Sequence, residues 1–187
     1  MLKDPGDRAP APGRLRQVQL FVNTADTEHG VEEVDTPEAL RELLVRVGLP
    51  GGDGPVTEAD LEEAIAVREA LRTLALGNNG GTVPPEALAT LERAGRAGRL
   101  AVRFPTPNGP ELVATTDGPA AALGELVAIT YTAIAEGTWA RLKACRRDVC
   151  HWIFYDRSRN ASSTWCAMSV CGNRTKTRAY RVRRASH

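Results

Sequence analysis

The chain of 187 residues lacks several features that would assign it to a common functional class. No apolar run approaches the ~20 residues that a membrane-spanning helix requires. The first 16 residues carry six charged residues and three prolines but no apolar stretch of a signal peptide. No glycine-rich phosphate loop follows a predicted strand, and His29 stands alone in an acidic loop. We therefore expect a soluble, cytoplasmic protein that is not an enzyme and does not bind membranes.

Cysteine is scarce, and its placement is the most informative pattern in the sequence. The four cysteines form two close pairs separated by 15 residues: Cys145, Cys150, Cys166 and Cys171. Four thiolates in two pairs are the ligand set of one structural Zn²⁺, and a closed shell of four leaves no position for catalysis. The alternatives are disulfides, which a reducing compartment disfavours, and unligated buried cysteines. His151 is an alternative ligand, although a residue adjacent to Cys150 usually points the other way.

The charges of the chain divide into two blocks of opposite sign. Through Ala140 there are 12 Lys and Arg against 21 Asp and Glu, whereas from Arg141 onward there are 12 against 2. This change predicts a domain boundary near residue 140. A basic block indicates a polyanionic partner, and a phosphate backbone is the commonest one inside cells. The alternative is that the acidic part docks on the basic part of the same chain.

Helix-start signals predict a mostly helical first part. Thr36-Pro37 is typical of a helix start, with Gly48 as its stop. Thr57 and Asp60 resemble a capping box, which predicts a second helix that ends near Gly77. Most acidic residues of this part fall on the solvated faces of predicted helices and are expected to be surface charges.

The remaining elements of the first part are predicted from shorter patterns. Residues 16–24 fit either a strand or a buried helix. A helix is predicted from Pro84-Pro85 to Gly95–Gly98, and a β-hairpin from residues 100–104 and 111–115. A long helix is predicted from Gly118, with Asp117 as its cap. The residues at helical spacing that form its inward stripe are Leu123, Leu126, Val127, Thr130, Tyr131 and Ile134.

The basic part predicts a knuckle, a hairpin and a helix. Residues 145–150 form the metal-binding turn, and residues 151–156 and 163–166 are predicted to pair as strands around a polar turn. Trp152, Phe154 and Trp165 would pack with the metal, because about 45 residues cannot bury a sufficient core alone. Without metal this part is expected to unfold.

The helix after Cys171 is predicted to contact DNA. Arg174, Arg178 and Arg181 recur at i, i+4 and i+7 and form one row, which favours an anionic partner because like charges at this spacing weaken a helix. The alternative is a solvated face, with Arg174 serving the fold by bonding carbonyls around the metal or by pairing with Asp156. The expected DNA contacts are Arg174, Lys176, Arg178, Arg181, Arg183 and Arg184.

Two segments resemble known bacterial families. From Arg141 to Arg183 the chain resembles the CGNR zinc finger, through its cysteines, Trp152, the Ser158-Arg159-Asn160 turn, Trp165, Met168 and the signature Cys171-Gly172-Asn173-Arg174. Upstream, Phe21-Val22-Asn23-Thr24, the helix near residues 36–47 and the Val67–Arg72 stretch resemble the ABATE domain that commonly precedes this finger.

The resemblance implies a stress-induced transcription regulator in which the finger binds DNA and the ABATE domain senses a signal or oligomerises. It implies that the four cysteines bind zinc. It also implies that Gly172 allows close backbone approach near the metal and that Asn173 and Arg174 brace the site or touch a ligand.

We therefore expect an α+β protein with three segments. Residues 1–15 are predicted to be disordered, residues 16–140 to form a mostly helical ABATE-like regulatory or oligomerisation domain with a short β-hairpin, and residues 141–187 to form a treble-clef-like CGNR zinc finger. The expected function is zinc-dependent DNA binding by a bacterial transcription regulator.

Two alternative functions compete with this one: a protein-interaction module whose basic helix docks an acidic partner, and an RNA binder that stacks bases on Trp152, Tyr155 and Trp165. The sequence does not decide whether the first domain has a pocket for a small-molecule effector or whether the protein is a homodimer.

Overall fold

The computed structural model describes residues 8–106, 109–175, 177 and 184. Within these residues the chain forms a mostly helical N-terminal part and a small C-terminal part that contains the cysteines. The α-helices are α1 (Leu15–Val22), α2 (Pro37–Val47), α3 (Glu58–Gly77), α4 (Pro85–Ala97) and α5 (Gly118–Ala135). A 3₁₀ turn (Trp139–Arg141) and a π-helical turn (Met168–Gly172) follow them.

Within the described part of the chain the strands pair as three separate antiparallel hairpins. In chain order they are β1 (Ala25–Asp26) with β2 (Val31–Glu32), β3 (Ala101–Thr106) with β4 (Gly109–Val113), and β5 (Leu142–Ala144) with β6 (Ile153–Tyr155). The predicted hairpin near residues 100–115 is confirmed as β3–β4.

The sequence signals at the ends of α2 and α3 are confirmed. Thr36 accepts a hydrogen bond from the backbone N–H of Ala39, and Gly48 ends the helix with a φ of 69°. Thr57 and Asp60 form a reciprocal capping box at the start of α3. The ambiguous segment 16–24 is the helix α1, because a helical spacing buries Val18, Phe21 and Val22 on one face.

Helix α5 is the central helix of the N-terminal part. It contacts α1, α3, α4 and β4, and 61% of it is buried. By length and composition alone α5 could cross a membrane, a test that the core helix of a globular protein also passes.

The inward stripe predicted for α5 is wrong at its C-terminal end, where Tyr131 is 61% and Ile134 is 52% exposed. Leu123 and Leu126 are buried as predicted, and they share the buried face with small residues such as Ala122 and Ala133, which let neighbouring helices approach closely.

A close backbone approach lies between α5 and the residue that follows α4, where Gly124 faces Gly98. A Cβ atom on Gly124 would lie 2.7 Å from the Cα of Gly98 and 3.4 Å from the Cβ of Ala114. Backbone cannot move away as a flexible side chain can. We expect Gly124→Ala to lower the free energy of unfolding by about 1–3 kcal/mol.

Chemical denaturation of the zinc-loaded protein measures this effect. Gly54→Ala is the matched control, since no atom lies within 4 Å of its added Cβ and its φ is not in the left-handed region. Equal stabilities of the two variants would contradict the close packing of α4 on α5.

The hairpin near the cysteines differs from the prediction. Residues 163–166 are not a strand, and β6 pairs with β5, the segment just before Cys145, with Leu142 opposite Tyr155 and Ala144 opposite Ile153. The hairpin therefore encloses the first cysteine pair. Leu142, Ala144, Ile153 and Tyr155 all belong to the core of the N-terminal part, whereas Phe154 packs with the cysteines.

The segment before α1 is also packed over its described residues. Ala11 is buried, and its N–H donates a hydrogen bond to the side-chain oxygen of Gln19. The prediction of disorder through residue 15 is therefore wrong from Arg8 onward, since a buried polar contact and an apolar anchor hold this stretch. Residues 1–7 lie outside the described part of the chain.

Candidate metal centre

The four cysteines converge at one point. All four side chains are buried, none forms a disulfide, and their sulfur atoms lie within 4.8 Å of one another. Cys166 Sγ is 3.7 Å from Cys150 Sγ and 3.6 Å from Cys171 Sγ. The structure thus places the four predicted ligands together as one metal site.

The local backbone sets the position of each cysteine pair. Cys145 follows β5, and its N–H donates to the carbonyl of Trp152, which extends the β5–β6 ladder by one bond. The N–H of Cys150 donates to the carbonyl of Arg147 and closes a tight turn. The second pair is held by the π-helical turn, in which the N–H of Gly172 donates to the carbonyl of Ala167.

The donor set fits zinc in both chemistry and size. Sulfur atoms about 2.3 Å from one ion at the corners of a tetrahedron lie about 3.8 Å apart. The two measured sulfur separations, 3.6 and 3.7 Å, are close to this value. Four sulfur donors select zinc over hard cations such as Mg²⁺ and Ca²⁺, which prefer oxygen. The site holds one structural Zn²⁺ with no position left for a substrate.

The thiols strongly perturb one another. Hydrogen bonds from Cys150 and Cys166 lower the pKa of Cys145, whereas the hydrogen bond to Cys145 raises the pKa of Cys166. Four thiolates so close together need a cation. Arg147 adds a positive charge at the edge of the site, where its Nη1 lies 3.9 Å from Cys171 Sγ.

Apolar side chains complete the site as predicted. Trp152 and Phe154 are buried with the four cysteines, and Trp165 packs against them. A Cβ on Gly172 would lie 2.3 Å from Met168 Sδ and 3.1 Å from a ring carbon of Trp165, so the turn accommodates glycine best. Asn173 is exposed and donates to the carbonyl of Ser169, which braces the turn.

His151 lies outside the cluster of ligand atoms found among the described residues. Its φ is 46°, a conformation that lets the chain turn from Cys150 into β6. Its carbonyl accepts a hydrogen bond of 3.3 Å from Arg72 of α3. His151 thus connects the metal-binding turn to the N-terminal part through its backbone.

Polar side chains of the N-terminal part hold the first metal-binding turn and β6. The Asn23 side chain accepts from the N–H of Ile153 at 2.8 Å and donates to its carbonyl at 2.9 Å, as a neighbouring strand would. The Thr27 hydroxyl lies 2.8 Å from the carbonyl oxygen of Cys150. Arg72 is buried and also donates to the carbonyl of Val22 at 2.8 Å.

The second cysteine pair is held in the same way. Asn79 donates to the carbonyls of Ala144 and Thr164, both at 2.8 Å. Arg8 donates to the carbonyls of Trp165 and Cys166, and its guanidinium lies 5.2 Å from the centre of the Phe154 ring. Both halves of the site therefore depend on side chains outside the finger.

A buried ion pair supports the loop between β6 and the second cysteine pair. Lys143 Nζ lies 2.9 Å from Asp156 Oδ2 and also donates to the carbonyls of Ala161 and Ser163. Burial alone would raise the pKa of Asp156, but hydrogen bonds from Ser158, Lys143 and Ser163 hold it well below its usual value. The predicted alternative that Asp156 pairs with Arg174 is wrong, because Lys143 takes that place.

Only part of the predicted DNA-contacting helix belongs to the described residues. Arg174 is 56% exposed at its side chain and pairs with Glu28 of the β1–β2 turn at 2.5 Å. A hydrogen bond from Arg147 to the same carboxylate lowers the pKa of Glu28. Arg184 is helical and exposed. The other predicted contacts lie outside the described residues: Lys176, Arg178, Arg181 and Arg183.

Sequence reasoning missed the polar residues that join the two parts. Arg68 and Arg72 are 5% and 4% exposed, although both were expected only as part of a family motif. Arg68 binds both carboxylate oxygens of Glu32, at 2.6 and 2.7 Å, and so holds β2 on α3. A signal was present: the two arginines lie four residues apart, beside the apolar positions Val67 and Leu71 of an amphipathic helix.

Comparison with known proteins gives two family matches. The ABATE model, described as "Putative stress-induced transcription regulator", matches residues 15–142. The CGNR zinc finger model matches residues 141–184. No curated protein matches the chain.

Proposed function

Because the chain belongs to the ABATE family and ends in a CGNR zinc finger, we propose that it is a DNA-binding transcription regulator whose finger contacts DNA through its basic helix. The family description implies a regulatory rather than an enzymatic role. The proposal further places the protein in the bacterial cytoplasm, where a reducing environment keeps four thiolates available for zinc.

The charge distribution is the single observation that carries this proposal. The last 47 residues hold 12 Lys and Arg against two acidic residues, and the buried pair of Lys143 and Asp156 removes one charge from each side, which leaves 11 against one. Arg146 and Arg159 are exposed, which adds positive charge outside the helix. Phosphate contacts supply most of the affinity of a protein for DNA, so a surface of this kind favours a nucleic-acid backbone.

The contact between Glu28 and the finger favours a second candidate function. A basic finger that pairs with an acidic residue of its own N-terminal part could equally dock an acidic protein. RNA binding by base stacking has less support, because Trp152 and Tyr155 are only 9% and 7% exposed.

Capture of genomic DNA separates these candidates. The zinc-loaded full-length protein is mixed with fragmented host DNA near physiological salt, and the retained fragments are sequenced. Discrete enriched sites support a specific regulator. Retention without enrichment, or no retention, favours docking to an acidic protein.

The salt dependence of DNA affinity tests the residues proposed to contact the backbone. If about five phosphates are neutralised, the slope of log K against log salt should be about −4 to −5. Arg181→Gln should make this slope shallower by about one unit. Fluorescence anisotropy with a short duplex over a salt series measures both values.

Arg93→Gln is the matched control for this measurement, because Arg93 pairs with Glu63 within the N-terminal part. It should leave the slope unchanged. An Arg181→Gln slope equal to that of the unmodified protein would remove Arg181 from the contact surface.

A further inference from the structure

One acidic side chain of the N-terminal part reaches two arginines of the finger. Glu28 lies in the turn between β1 and β2, and its Oε1 is 2.6 Å from Arg147 Nη1 and 2.5 Å from Arg174 Nη1. The Glu28 side chain is 15% exposed, that of Arg147 is 22% exposed and that of Arg174 is 56% exposed. A single carboxylate oxygen is therefore shared by two guanidinium groups at the surface.

The two arginines come from different parts of the finger. Arg147 belongs to the first metal-binding turn, and Arg174 follows the turn that holds Cys171. The metal site brings them together, because each lies within three residues of a cysteine ligand. Two guanidinium groups converge on one carboxylate oxygen, and their planar forks match the oxygens of a phosphate group.

The turn that carries Glu28 is held at the finger by other contacts. The hydroxyl of Thr27 lies 2.8 Å from the carbonyl oxygen of Cys150, and the carboxylate of Asp26 accepts from the N–H of Glu28 at 3.1 Å. These bonds place the Glu28 carboxylate at the arginines without requiring its charge. The turn can therefore stay in place while its carboxylate is exchanged for another anion.

From this geometry we infer that Arg147 and Arg174 form a phosphate-binding site of the finger and that Glu28 occupies this site from within the chain. The N-terminal part thereby blocks one phosphate contact until the carboxylate is displaced. This inference rests on the proposed DNA-binding function and deepens it, because it adds Arg147 to the contact surface and assigns the acidic part an inhibitory role.

The first experiment uses inorganic phosphate and does not depend on DNA. The Nε–Hε signals of Arg147 and Arg174 are followed by NMR in the zinc-loaded full-length protein and in Glu28→Gln, an isosteric change that removes the charge. Arg174→Gln assigns the signals. In Glu28→Gln both signals should shift with phosphate, with half-saturation at a concentration about fivefold lower than in the unmodified protein, as expected for an exposed ion pair.

Glu33→Gln is the matched control, because Glu33 lies in the same region but pairs with Arg46 of α2. It should titrate like the unmodified protein. Zinc content and melting temperature verify that each variant is folded, and Glu28→Ala provides a second removal of the carboxylate. If phosphate shifts neither arginine in Glu28→Gln and Glu28→Ala, the inference is wrong.

The second experiment distinguishes a DNA phosphate from a free one. Glu28→Gln should bind a short duplex about fivefold more tightly than the unmodified protein, since the same exposed ion pair is removed. Its salt slope should be steeper by about one unit for each additional phosphate contacted. The double variant Glu28→Gln/Arg174→Gln should lose this gain.

The two experiments separate the inference from the function on which it rests. A phosphate response with no DNA binding by any variant supports the site and refutes the proposed DNA function. DNA binding with the same affinity and slope in the unmodified protein and Glu28→Gln refutes the inhibitory role of Glu28.

Discussion

Removal of zinc should unfold the finger and lower the stability of the N-terminal part as well. The apparent binding energy of a structural zinc site, about 10–16 kcal/mol in zinc-finger peptides, matches or exceeds the whole stability of a typical domain, about 5–15 kcal/mol. The loss should spread beyond the finger, because Asn23, Thr27 and Arg72 donate to or accept from its backbone. Near-UV circular dichroism should lose the signals of Trp152 and Trp165, and the helical melting temperature should fall.

The measurement compares thermal unfolding before chelation, after addition of a strong chelator and after zinc is restored. Cys166→Ser should reproduce the effect of the chelator, because Cys166 contacts two of the other sulfurs. His151→Asn is the matched control: asparagine tolerates a φ of 46° and the side chain is not a ligand, so zinc should stay at one per chain. A fold indifferent to chelation would refute the zinc site.

Lys143→Met should be the most damaging substitution outside the cysteines. The change leaves Asp156, which is 0% exposed, as an uncompensated buried charge. Breaking one side of a buried ion pair costs about 3–5 kcal/mol. The carbonyls of Ala161 and Ser163 would also lose their donor, so the loop before Cys166 should loosen. Chemical denaturation of the zinc-loaded protein measures the loss.

Two further variants make this prediction specific. The double variant Lys143→Met/Asp156→Leu should recover part of the stability, because no unpaired charge remains. Arg96→Ala removes an exposed pair with Glu92 and should change stability by less than about 1 kcal/mol. A Lys143→Met protein as stable as Arg96→Ala would show that the buried pair contributes little.

Local signals predicted the helices and the metal site, because short-range chemistry determines both. The caps at Thr36 and Thr57 depend on contacts three residues apart, and two close pairs of cysteines supply the four thiolates that one zinc ion binds. The sequence could not predict the partner of β6. A strand of three residues is too short for the alternation of apolar and polar residues to identify it. In addition, the core of the N-terminal part, not the finger, decides which face of β5 and β6 is buried.

Contacts between distant residues were equally beyond sequence reasoning. Glu28 and Arg174 are 146 positions apart, and nothing near either residue indicates the other. Lys143 was counted with the basic surface, yet it is only 5% exposed. Nothing in the short segment Leu142-Lys143-Ala144 indicates that Lys143 pairs with Asp156 in the interior. Glu125, expected as a surface charge, is also buried; it pairs with Arg14 and accepts from the N–H of Ala114. Such pairs follow from packing, which a single sequence does not reveal.

The β5–β6 hairpin limits how this finger can be engineered or exchanged between proteins. Cutting the chain before Arg141 would leave the apolar side chains of Leu142, Ile153 and Tyr155 facing water, while the other strand face stays around the metal. A finger expressed by itself would thus expose an apolar surface through which copies could associate. A protein that receives the finger must therefore supply apolar side chains that cover this strand face. It must also supply polar side chains equivalent to Asn23 and Arg72. Substitutions within the intact chain are therefore a better way to test the finger than exchange of the finger between proteins.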